Sequence, residues 1–202
     1  MATKTDLIDQ LVRALADPVD SSSDFDLNPG APKPAKRNLR PAGVLVPISL
    51  VGPEPVVILT KRSSALKHHP GQIAFPGGKV DPGDNGPRDA ALREAHEEIG
   101  LPPEMVNVVS EISTHETVTA FTMHPFVGLI TEGFEIRPEP GEVEEVFNVP
   151  LRHVLDINNF SIQGRYFRGD RRTYYTVPYG PYYIWGASAR VLYRMAERMS
   201  GA

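Results

Sequence analysis

The sequence predicts an α+β sandwich. Three observations point to it: short β-branched runs bounded by turn residues, few segments with helical periodicity, and a mixed order of the two along the chain. The 202 residues suit one domain with a short extension, divided at 1–40 for an N-terminal helix and arm and 41–202 for the domain proper. Hydrophobic residues make up 41% and charged residues 23%, which provides for a core without disulfides or a structural metal.

The elements follow in order. Residues 6–16 carry Leu7, Ile8, Leu11 and Leu15 at helical spacing and predict a packing helix. Residues 17–41, with Pro18, Pro29, Pro32, Pro34 and Pro41, read as an extended, partly mobile arm. Residues 43–50 and 55–60 are strands joined by a hairpin at Val51-Gly52-Pro53-Glu54. A loop rich in Lys, His and Gly runs to Gly78. A helix follows, opened by Pro87 and closed by Gly100. Residues 106–113, 124–130 and 143–149 read as strands. Residues 165–175 form a hairpin turning at Gly169-Asp170, and 188–199 a closing helix with Val191, Leu192, Met195 and Met199 on one face. Tyr166, Tyr174, Tyr175, Tyr182 and Tyr183 are expected to pack the sheet and that helix.

Composition excludes several classes of function. There is no cysteine, so disulfides, thiolate metal sites and a cysteine nucleophile are absent, in keeping with a cytoplasmic location. A net charge of −4 gives no footing for a general nucleic-acid or membrane binder. No apolar run approaches a membrane span, and residues 1–17 lack the apolar core of a secretory signal.

The chemistry concentrates on the middle helix. Glu94, Glu97 and Glu98 stand at i, i+3 and i+4, so three carboxylates share one face within a turn. Their repulsion is relieved by a hard cation such as Mg²⁺ or Mn²⁺, which accepts carboxylate oxygens. Arg93 is placed to hold Glu97 at i+4. Upstream, Gly77-Gly78 can bring bare backbone close to a metal or a phosphate.

Gly78, Asp84 and Arg93-Glu94-Ala95-His96-Glu97-Glu98-Ile99-Gly100-Leu101 together resemble the Nudix box, G-x5-E-x7-R-E-U-x-E-E-x-G-U. Asp84 stands where the box has Glu, one extra residue separates it from Arg93, and Ala95 is small for its position. This reading assigns no role to Asp84. A second segment, Leu59-Thr60-Lys61-Arg62-Ser63 with Lys67, Gly71 and Phe75-Pro76-Gly77-Gly78, resembles the upstream motif of the coenzyme A pyrophosphatase branch. Ile58 and Lys67 replace a Leu and an Arg of that motif. Further similarity at Arg40-Pro41-Ala42, at 125–128 and 146–151, and at Ile184-Trp185-Gly186-Ala187 extends the resemblance over about residues 40–200.

The resemblance implies a Nudix α/β/α sandwich with a mixed sheet and an N-terminal helical extension. It implies metal-dependent hydrolysis of the pyrophosphate bond of coenzyme A or a derivative. Glu94, Glu97, Glu98 and the Gly78 carbonyl would hold Mg²⁺ or Mn²⁺; Glu97, Glu98 and Arg93 would serve catalysis. Arg62, Lys67, Phe75, Gly77 and Gly78 would meet the substrate. Glu142 or Glu145 is a candidate further carboxylate. The arginines at 165, 168, 171 and 172, Arg168 and Arg171 above all, are either a solvated hairpin edge or a site for the 3′-phosphate. His68, His69, His96, His115 and His124 are expected in surface or loop roles, with His115 the weakest case because it sits beside a substrate-side loop. Hydrolysis of another nucleoside diphosphate conjugate (ADP-ribose, NADH) and a non-catalytic nucleotide-binding module stay open, as does a homodimer.

Overall fold

A computed structural model of the chain describes residues 3–17, 20–31, 37–167 and 170–201. Helix α1 (Lys4–Ala14) is opened by a capping box in which Thr3 Oγ1 and the Asp6 carboxylate each take the other's backbone N–H. Then follow β1 (Ser22–Ser23), β2 (Arg40–Ser49), β3 (Val56–Arg62), β4 (Ile73–Ala74), β5 (Gly77–Lys79) and α2 (Pro87–Ile99). The second half contains β6 (Asn107–Glu111), β7 (His115–Glu116), β8 (Phe121–Ile130), β9 (Val143–Pro150), α3 (Leu151–Leu155), β10 (Ser161–Phe167), β11 (Asp170–Thr176) and α4 (Gly186–Ser200).

Nine strands form one mixed sheet, and β10 and β11 make a separate antiparallel pair. Strands β2 and β8 run parallel in register from Arg40–Phe121 to Ser49–Ile130. β2 is apolar almost without interruption from Ala42 to Ile48 because both its faces are covered. On one face lies α2, in a cluster with Leu45, Ile58, Phe126 and Ile130. On the other lie α4 and α1, where Leu7, Ile8 and Leu11, with Leu15 just past the helix end, join Val46, Leu59 and Leu192 in the larger cluster. The result is the expected helix–sheet–helix sandwich. No helix among the described residues is long and apolar enough to cross a membrane.

The hairpin after β2 forms as expected, with Ile48 opposite Val57. Three expectations change. First, the arm is docked along its described parts: β1 pairs in parallel with β7, and Arg37 binds Glu116 and the carbonyls of Thr117 and Val118. Second, the loop before Gly78 contains two short strands, β4 against β3 and β5 against β2. Third, the late hairpin is longer than predicted, from Ser161 to Thr176. Arg168 and Gly169, at its expected turn, lie outside the described residues.

Candidate active site

Glycines set the geometry of the site. A Cβ on Gly43 would lie 1.8 Å from the Pro87 carbonyl oxygen, so β2 and the first turn of α2 touch backbone to backbone. Gly77 has φ +154°, and a Cβ there would lie 2.5 Å from the Gly43 carbonyl oxygen. A Cβ on Gly78 would fall 2.3 Å from Glu94 Oε1. The missing side chain of Gly78 is therefore the cradle in which the Glu94 carboxylate rests.

Arg93 organises the rest. Its Nε and Nη2 hold Asp84 Oδ1 and Oδ2 at 2.9 and 3.0 Å, a bidentate fork. Its Nη1 reaches Glu94 Oε1 at 3.0 Å and Glu97 Oε2 at 2.9 Å, the predicted i,i+4 contact, and Nη2 donates to the Lys79 carbonyl at 3.3 Å. Asp84 Oδ2 also accepts the Asp81 N–H at 2.8 Å, which ties the 81–84 turn to the helix. Hydrogen bonds from Arg93, more than any other cause, hold the Asp84 carboxyl below the usual carboxylate range.

The three glutamates differ sharply. The side chain of Glu97 is 56% exposed, that of Glu94 16% and that of Glu98 5%. Among the described residues Glu98 accepts one hydrogen bond, from the Gly77 N–H at 3.2 Å, and Arg62 Nη1 stands 4.0 Å from its other oxygen. Burial, with Glu94's charge next in importance, pushes its carboxyl up to about 8. Burial likewise raises Glu94, against the pull of Arg93. Among the described residues no three acidic or histidine side chains converge as a closed metal site. Glu94 and Glu97 are drawn instead to Arg93. The donors nevertheless suit a hard divalent cation: carboxylate oxygens crowded beside an open glycine cradle, one of them buried and short of compensating charge.

Arg62 reaches this cluster through the alternation of β3. Ile58 faces α2, and Thr60 and Arg62 follow on that side; Val57, Leu59 and Lys61 face the other. Glu142 lies near these carboxylates: its charge adds to the rise of both Glu94 and Glu98, and its carbonyl takes the Ser63 N–H at 2.8 Å. Glu145 lies elsewhere. It registers opposite Lys61 and accepts the Tyr182 hydroxyl, on the α4 side of the sheet. Phe75 is corrected from a substrate contact to a core residue, 5% exposed among the larger apolar cluster. Lys67 lies exposed in the loop between β3 and β4. Arg171 lies along Gly164 on the late hairpin.

Two residues were missed. Asp84 has a partner set that a shortened side chain and a shifted spacing concealed; the Asp81–Asp84 turn absorbs the extra residue. His115 is buried, not at the surface, with Nδ1 2.9 Å from Ser22 Oγ and Nε2 3.0 Å from Asp24 Oδ1. No local pattern pairs it with residues ninety positions away.

Comparison with known proteins agrees with this architecture. The profile of the NUDIX domain matches residues 39–168. The chain is 35% identical to the Nudix hydrolase NudL of Photorhabdus laumondii over 171 residues, 85% of this chain and 91% of that one. It is 38% identical to NudL of Escherichia coli K12 over 159 residues, 79% and 82% of the two chains. A MutT/nudix family protein of Enterococcus faecalis superposes with a TM-score of 0.53 at 14% identity, covering 85% of this chain and 66% of that one, a likeness of fold. With the family profile spanning well over half the chain and NudL relatives aligned along most of their own length, the chain belongs to the Nudix hydrolase family.

Proposed function

We propose that this Nudix hydrolase cleaves the pyrophosphate bond of coenzyme A or its derivatives, giving 3′,5′-ADP and 4′-phosphopantetheine. One observation carries the reading. Arg62, from the segment that resembles the coenzyme A branch, converges on Glu98 of the Nudix box, whose other oxygen takes the Gly77 N–H. This convergence supports reading the two motifs as parts of one site. Glu94, Glu97 and Glu98, with the Gly78 carbonyl, would hold Mg²⁺ or Mn²⁺, and Arg93 would keep Asp84. Such a cation supplies charge neutralisation of the diphosphate and acidifies water. Arg62 and Lys67 present positive charge to the diphosphate. Glu142 adds a carboxylate, and Arg93 fixes the register of the helix against the 81–84 turn. The cysteine-free sequence matches work in a reducing cytoplasm.

The test is product analysis of the purified protein with coenzyme A and Mn²⁺ or Mg²⁺, beside dephospho-coenzyme A, ADP-ribose and NADH. Coenzyme A should exceed dephospho-coenzyme A in kcat/KM by roughly 10- to 150-fold, the worth of one charge-assisted bond to phosphate. Faster turnover of ADP-ribose or NADH replaces the substrate and keeps the chemistry. No metal-dependent turnover of any of them leaves a binding module.

A further inference from the structure

The ribbon of β10 and β11 has one covered edge and one bare edge. The covered edge belongs to β11. Asn28 of the arm gives its Nδ2 N–H to the Thr173 carbonyl at 2.8 Å and takes the Thr173 N–H on Oδ1 at 2.7 Å. One side chain thus stands in for a neighbouring strand. Further along β11, Tyr175 stacks on Tyr193 of α4, with ring centroids 4.2 Å apart. β10 is different. Every residue from Ser161 to Tyr166 is exposed, Ile162 at 53% and Tyr166 at 79%, and among the described residues β10 pairs with β11 alone. Tyr166 therefore does not pack the sheet as the sequence suggested.

The covered edge fixes which way the bare one points. In an antiparallel pair, two residues directly opposite exchange both backbone hydrogen bonds or neither. Thr173 stands opposite Gly164 and gives its N–H to Asn28, so the two exchange none. The N–H and C=O of Gly164, and by alternation those of Ile162 and Tyr166, point to the bare edge. Such an edge is a template for another strand. Its charges select which. Arg171 lies over Gly164, where a Cβ would fall 2.9 Å from the Arg171 Nε. Arg165 is on the other face, its guanidinium 4.4 Å from the Trp185 ring centroid. Neither arginine has a carboxylate partner among the described residues. A second copy, paired symmetrically about Gly164, would bring two Arg171 side chains together, and like charges so placed repel. An acidic strand meets no such cost. A carboxylate opposite Gly164 shares the face of Arg171 with no side chain between them, and one opposite Arg165 shares the other face. The places opposite the exposed Ile162 and Tyr166 suit apolar residues.

We infer that the bare edge of β10 docks an extended acidic segment of a partner protein as an added antiparallel strand. Main-chain hydrogen bonds to Ile162, Gly164 and Tyr166 give the affinity, and two successive carboxylates on Arg165 and Arg171 give the selectivity. Read from the partner's N-terminal side, the pattern is apolar, acidic, acidic, any residue, apolar. This docking is independent of the diphosphatase reading.

The probe is the end-blocked heptapeptide Thr-Val-Glu-Glu-Thr-Val-Thr. Residue-resolved amide exchange of the full chain is followed as the peptide is added. We expect saturable slowing at Ile162, Gly164 and Tyr166, with little change at Gln163 and Arg165, whose amides already face β11. The same peptide with lysines for glutamates should bind about 10-fold more weakly. N-methylation of the second glutamate and both valines removes the donors that an added strand needs, and should abolish the slowing. Arg165→Glu combined with Arg171→Glu should reverse the preference between the two peptides. Unchanged exchange at the β2 and β8 amides reports that this double variant is folded. No slowing at the bare-edge amides, equal binding of the two peptides, or binding retained after N-methylation overturns the inference. So does slowing at the same amides as protein concentration rises without peptide, which puts a second copy of the chain on the edge.

Discussion

Two polar residues are buried to a similar depth, Glu98 on α2 at 4% exposure and His115 on β7 at 1%, and they live in opposite conditions. Both ring nitrogens of His115 have partners, Ser22 Oγ and Asp24 Oδ1, and the other Asp24 oxygen takes the Val118 N–H at 2.8 Å. Among the described residues Glu98 has one hydrogen bond, an arginine at 4.0 Å and the charges of Glu94 and Glu142 nearby. A buried group whose sites the protein fills holds the fold together. A buried group left short of partners marks where something else is to bind.

The largest expected effect tests the unsatisfied member. Glu98→Gln keeps size and can still accept the Gly77 N–H, but it removes the charge. It should cost roughly 10²-fold or more in kcat, the scale of other electrostatic catalytic groups. The protein should stay folded, with a metal-free melting temperature no lower than that of the parent. Near-normal turnover at saturating Mg²⁺ would break the comparison at once.

The same variant isolates a pH effect. Glu98 is pushed from 4.5 to about 8 on folding, so the folded state binds its proton more tightly than the unfolded state does. Its stabilising contribution is full below about 4.5 and is lost as pH rises through about 8. In EDTA, melting temperatures of the parent and Glu98→Gln should therefore diverge across that window, the parent falling relative to the variant. Adding Mg²⁺ or Mn²⁺ at the upper end should close the gap. Parallel curves without metal would show that Glu98 is compensated after all.

His115→Ala is the counterpart. It strips partners from Ser22 and Asp24 and should cost about 1–3 kcal/mol of stability, the price of unmet buried polar groups. In a chain of this size that lowers the melting temperature by roughly 2–4 °C per kcal/mol. Amide exchange should speed up first at Ser22 and Val118, while kcat in the folded fraction stays put. A kcat loss with an intact melting temperature would move His115 to the functional side.

This contrast also divides what the sequence disclosed from what it hid. The α2 glutamates were legible because i, i+3, i+4 spacing on one helix needs no tertiary knowledge. Pro87 and Gly100 marked the helix ends for the same reason. The His115 node joins residues ninety positions apart through a two-residue parallel pairing, and no periodicity records that. The extra residue before Arg93 hides Asp84 in the sequence, although the turn from Asp81 restores its reach to Arg93. The fate of Glu145 depended on strand register. Its pairing with Lys61 sends it to the α4 face, while Glu142, before the strand begins, stays near the carboxylates. Phe75 sits in a motif dense with site residues and was counted among them, but its side chain supports them from the core.

The smallest effect concerns Arg62, which stands between the two conditions. Its side chain is 28% exposed; among the described residues its Nε is buried without a hydrogen-bond partner and its one ion-pair distance, to Glu98, is long at 4.0 Å. A residue that holds a loop by its side chain would be better bonded than this. Arg62→Ala should therefore shift the melting temperature by no more than about 3 °C, the consequence of lost packing along the stem. Because Arg62 lowers the Glu98 carboxyl, the substitution should also carry the divergence from Glu98→Gln to higher pH. Removal of one charge-assisted contact to the diphosphate should raise KM about 10-fold. Arg62→Lys keeps the charge but loses the planar fork, so it should recover part of that loss. A large drop in melting temperature with unchanged KM in the folded fraction would instead place Arg62 beside His115, as a residue that fixes the loop and touches no ligand.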